Sequence, residues 1–94
     1  MGFDSPRAAL ETVLVQWHEN LGSGTYTVQQ VIERAINVPT FYTALMTVAA
    51  TKSGTVSNER LGRWLKRVQG KIVDGLSLTQ RGRVQGYPLW TLKG

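Results

Sequence analysis

The chain contains no cysteine. That excludes disulfides, thiolate-bound zinc and a thiol nucleophile, and it suits a reducing cytoplasm. One histidine, His18, cannot complete a metal site or a catalytic triad by itself, and beside Trp17 it reads as a surface or half-buried residue. No apolar run approaches the roughly 18 residues that a membrane span needs. The opening Met1-Gly2-Phe3-Asp4-Ser5-Pro6 lacks the basic and then apolar layout of a secretory leader; such bare ends also suit a domain taken from a longer protein. Only six residues are acidic, and their spacing suggests no acid–base pair, triad or metal site. An enzyme is not expected, nor any cofactor.

What is present is a basic, moderately apolar chain of 94 residues, 41% hydrophobic, with a net charge of +5 and a pI near 10.1. That is one domain, small enough that each large apolar residue should have a structural role. Charge is unevenly spread. Residues 1–51 hold two basic and four acidic side chains, net −2, and residues 52–94 hold nine basic and two acidic, net +7. A basic half on a small domain is the footprint of a polyanionic partner, or else a solvated surface.

Hydrophobic spacing predicts helices over about 6–21, 28–36, 41–50 and 58–69. Ser5 before Pro6 reads as the first cap. Leu10, Val13, Leu14, Trp17 and Leu21 fall on one helical face, and Gly22 stops the helix. Residues 22–26 read as a Gly/Ser loop. Thr27 with Gln30 forms a capping box ahead of Val28, Val31, Ile32, Ala35 and Ile36. Asn37-Val38-Pro39 ends that helix. Thr40 is the expected third cap, with Phe41, Ala44, Leu45 and Val48 inward. Ser57 caps the fourth helix, whose buried stripe is Leu61, Trp64, Leu65 and Val68, stapled by Val56. After Gly70 the period changes from 3.6 to 2. Asp74-Gly75 is a turn signal, Leu76 and Leu78 alternate with polar residues, and Gly82 to Gly86 reads as a hairpin tip. Pro88, Trp90 and Leu92 alternate on the return strand, where the proline argues for a sheet edge. The fold class is therefore α+β, mainly α: a single winged helix-turn-helix domain over 1–94, with three or four helices and a C-terminal β-hairpin wing over about 76–92.

The fourth helix carries the functional signal. Away from its apolar stripe lie Asn58, Arg60, Arg63, Lys66 and Arg67, followed by Lys71. Arginine can pair with guanine and asparagine with adenine in a major groove that admits one helix, while lysine neutralises phosphate. Asn58, Arg60 and Arg63, near the N-terminus, are candidates for base edges; Lys66, Arg67 and Lys71 are candidates for phosphate. The hairpin adds Gln80, Arg81, Arg83 and Gln85, and a wing of that kind lies on the DNA backbone or in the minor groove. Gly62 within the helix costs about 1 kcal/mol relative to alanine, which calls for a close helix or DNA neighbour. Trp64 and Trp90 read as core, and Tyr87, out of phase with Trp90, as more open. A solvated helix face and a soluble turn are the plainer readings of these features taken singly. Two adjacent arginine-bearing elements, in the order a winged helix uses, favour duplex DNA.

The run Leu61-Gly62-Arg63-Trp64-Leu65-Lys66-Arg67, then Gly70-Lys71-Ile72-Val73-Asp74-Gly75-Leu76-Ser77-Leu78, then Gly86-Tyr87-Pro88-Leu89-Trp90-Thr91-Leu92, resembles the C-terminal winged-helix tail of primase–helicase replication proteins of phages and mobile elements. The resemblance covers about 57–92. It implies an origin- or template-recognition appendage beside a replication helicase or primase, with Arg60, Arg63 and Arg67 on the recognition helix and Arg81 and Arg83 on the wing. The chain has no G-x-x-x-x-G-K-[ST] phosphate loop and no carboxylate set for polymerase metals, so the likeness is to the appendage alone. Two other functions stay open: a winged-helix docking module for an acidic protein, and single-stranded DNA binding by stacking on Tyr87, Tyr26 or Tyr42. No free apolar face suggests a dimer, and a monomer is the default expectation.

Overall fold

The computed structural model describes residues 6–93; Ser5, the expected first cap, lies outside them. The order is α1 (Pro6–Leu21), β1 (Thr25–Thr27), α2 (Val28–Ile36), α3 (Pro39–Ala49), α4 (Asn58–Val68), β2 (Ser77–Val84) and β3 (Tyr87–Lys93). The fold is α+β and mainly helical, four helices with a three-stranded antiparallel sheet in the order β1-β3-β2, a winged-helix-like arrangement.

The helices start where their caps direct. Thr27 accepts the Gln30 N–H at 3.2 Å, and the Gln30 side chain accepts the Thr27 N–H at 2.9 Å. Ser57 accepts the Arg60 N–H at 3.2 Å. α3 begins earlier than its expected cap at Thr40. Val38 is extended at φ −129°, ψ 94°, and Pro39 takes the first helical position, where its missing N–H costs nothing. Thr40 instead donates its hydroxyl to Gln16 Oε1 on α1 at 3.0 Å.

The core gathers Leu10, Val13, Leu14, Trp17 and Leu21 of α1, Phe41 and Leu45 of α3, Leu61 and Leu65 of α4, and Leu78, Trp90 and Leu92 of the sheet. Trp17 meets Phe41 edge to face at 6.4 Å. Three expected core residues sit further out. Ile36 is 61% exposed, at the edge of its stripe in the last turn of α2. Val48 and Trp64 are only partly buried against the core, and the wheel of α4 explains the second. Leu61, Leu65 and Val68 hold its centre, and Trp64 stands on its shoulder.

The sheet departs most from expectation. Residues 25–27, expected as loop, form β1 by pairing Thr25 with Thr91, Tyr26 with Trp90 and Thr27 with Leu89. The Thr91 hydroxyl secures the approach by donating to the Ser23 and Gly24 carbonyls at 3.1 Å each. β3 is thus central, not an edge. Pro88 is tolerated because β1 ends opposite Leu89, leaving Pro88 with one neighbour, Arg83 of β2. The hairpin tip is a two-residue turn rather than five. Gln85 and Gly86 have φ +51° and +84°, the sign a primed turn requires at both positions. Gly82 lies within β2, in a bulge where Arg81 and Gly82 together face one residue of β3.

α1 also reaches the base of the wing. A side-chain hydrogen bond with Asp74, and its charge, hold the Glu11 carboxyl above the ordinary glutamate range, with Arg7 opposing. A carboxyl raised in the folded state contributes stability at low pH that is lost as pH rises past about 4.3. Glu11→Gln is therefore expected to raise the melting temperature at pH 7 and not at pH 3, read by thermal denaturation at the two pH values. An equal effect at both would mean that the two carboxyls do not interact.

Candidate nucleic-acid interface

α4 is held from behind and open in front. Leu61, Leu65 and Val68 are buried, and Asn58, Glu59, Arg60, Arg63, Lys66 and Arg67 are all exposed. At 100° per residue the cations Arg60, Arg63, Lys66 and Arg67 span about a third of the helix circumference. Glu59 interrupts them, with its carboxylate 3.6 Å from the Arg63 guanidinium. The two side chains are 83% and 75% exposed, so the pair contributes little and exchanges readily for another anion. Glu59 suits the first turn of the helix, where a negative charge meets the positive end of the dipole.

Two clefts flank α4 and divide the expected site residues. The first, about 350 Å³, lies between α4, the start of α2 and the start of β3. Asn58, Glu59, Gly62, Arg63 and Lys66 form one wall, and Thr27, Val28, Gln29, Tyr87 and Pro88 the other. The second, about 650 Å³, is lined by Trp64, Arg67, Val68, Lys71, Ile72 and Val73 with Arg7 and Leu10 of α1. So Asn58, Arg63 and Lys66 share one cleft, Arg67 and Lys71 share the other, and Arg60 stands exposed on the helix. Arg81 and Arg83 are exposed on β2. Arg83 pairs across the strands with Pro88, which brings the wing to the rim of the first cleft; Arg81 sits at the bulge.

The aromatics sort by what occupies them. Trp90 is fully buried. Tyr26 lies under the Arg34 guanidinium at 5.1 Å and donates its hydroxyl to the Leu21 carbonyl at 3.4 Å. The Tyr42 hydroxyl accepts the Val56 N–H at 3.1 Å. Tyr87 is 66% exposed and stands apart from the residues packed on the core. Its phase against Trp90 was the one sequence signal that it is open. Nothing in the sequence signalled that it shares a cleft with Arg63, or that Arg7 joins Lys71.

Gly62 is not explained by tight packing. A methyl group there would meet only Val28 Cγ2, at 3.8 Å, an ordinary contact. Among the described residues no group of three or more potential metal ligands is found, and no helix is long and apolar enough to cross a membrane. No family model, no curated protein and no solved structure matches the chain.

Proposed function

We propose that this chain is a nucleic-acid-binding module, with double-stranded DNA the favoured ligand, and not an enzyme. One observation carries the reading. Arg60, Arg63, Lys66 and Arg67 are exposed on a helix whose opposite side is locked into the core, next to a hairpin bearing Arg81 and Arg83. In this reading α4 enters the major groove, Asn58, Arg60 and Arg63 reach base edges, Lys66, Arg67 and Lys71 contact phosphates, and the hairpin follows the backbone. The likeness of residues 57–92 to the tails of primase–helicases supports a cytoplasmic role in phage or mobile-element replication, beside a helicase or primase.

The test is fluorescence anisotropy with labelled duplex across a salt series. Log affinity is expected to fall against log salt with a slope of about −3 to −6, as four to six neutralised phosphates require. No duplex binding at low salt would overturn the reading. The second cleft favours one alternative, an acidic protein segment seated on Trp64 and on Ile72, which is 72% exposed. That partner would persist where DNA binding is absent.

A further inference from the structure

We infer that the cleft between α4 and the start of β3 holds a single unpaired nucleobase, so that the module prefers a junction between duplex and single strand over uninterrupted duplex. This rests on reading α4 as the DNA-binding helix. Three independent features point to a base. Tyr87 is a large ring with no packing role, held at the mouth of the cleft by the two-residue turn before it. Such a ring is costly to expose and suited to stacking. Gly62 leaves the opposite wall without a side chain, although a methyl group would meet nothing closer than 3.8 Å; the position keeps space open and does not serve packing. The lining then matches the two characters of a base. Val28, Pro88 and the Tyr87 ring offer apolar faces, and Asn58 offers an amide at the edge. Arg63 and Lys66 on the same wall meet the phosphates on either side of the base. An intact helix cannot present a base to such a cleft without unstacking it, which is why an end or fork is preferred.

The experiment compares a fully paired duplex with the same duplex extended into a fork, each labelled and titrated at one salt concentration. The fork is expected to bind about 5- to 50-fold more tightly, the range of one stacked base. An abasic nucleotide at the first unpaired position should abolish that gain. Tyr87→Ala should bring the fork to the duplex value and leave the duplex value unchanged. Gly62→Leu, which fills the cleft from the other wall and favours the helix, should do the same without a fall in melting temperature. Equal affinity of the parent chain for fork and duplex overturns the inference and leaves duplex binding standing. So does a Tyr87→Ala variant that weakens both alike. Failure to bind either form overturns this inference and the DNA reading together.

Discussion

Trp90→Ala is expected to leave most of the chain unfolded, or close to it, at room temperature. Trp90 is fully buried on the central strand, between Tyr26 of β1 and Gln80 of β2. Truncating a tryptophan in such a place costs about 3–5 kcal/mol. At about 0.05–0.15 kcal/mol per residue, a chain of this length has little more than that in total. Trp90→Phe keeps most of the ring and removes an indole N–H that has no hydrogen-bond partner among the described residues, so it should fold. Trp64→Ala, from the half-buried shoulder of α4, should cost clearly less. Urea denaturation followed by circular dichroism separates the three. A loss below about 1 kcal/mol for Trp90→Ala would mean that the sheet and helices do not share one core.

Removing the four cations of α4 together, by Arg60→Ala, Arg63→Ala, Lys66→Ala and Arg67→Ala, should have the largest effect on binding. Each neutralised phosphate contributes just under tenfold in affinity at 0.1 M salt through counterion release. Duplex affinity should therefore fall roughly a thousandfold or more, and the salt slope should shrink by about four. The four side chains are exposed and alanine favours helix, so the fold should survive. The pairs are expected to differ. Losing Lys66 and Arg67 should weaken all sequences equally, whereas losing Arg63 should cost about 1–3 kcal/mol at a preferred site and relax discrimination there. A quadruple variant that keeps its affinity and slope would move the contact surface off α4 altogether.

How much of this was legible in the sequence depends on how local the cause is. α1, α2 and α4 were readable because caps and stops act within a few residues: Thr27 with Gln30, Ser57 with Arg60, Gly22 after Leu21. α3 was readable except at its start, where Pro39 served both as the stop of one helix and the first residue of the next. β1 was not readable. Three residues have no period of their own, and they form a strand only because β3, more than sixty positions later, supplies the partner. The same distant pairing defeated the edge argument from Pro88, since whether a proline has one neighbour or two depends on where β1 stops. The site divides in the same way. The basic side of α4 follows from helical phase, but the cleft is assembled from α2, α4 and β3, and no single segment records it.

β2 has only one neighbour and turns its other side outward along eight residues. An open strand of that length is a template for a second chain to pair with, and through it for aggregation. Here the outward row is broken by the bulge at Arg81-Gly82, and two arginines within three positions repel a like strand brought alongside. The arginines assigned to the wing thus also act as gatekeepers against self-association, and a variant stripped of them to test DNA binding should be handled dilute.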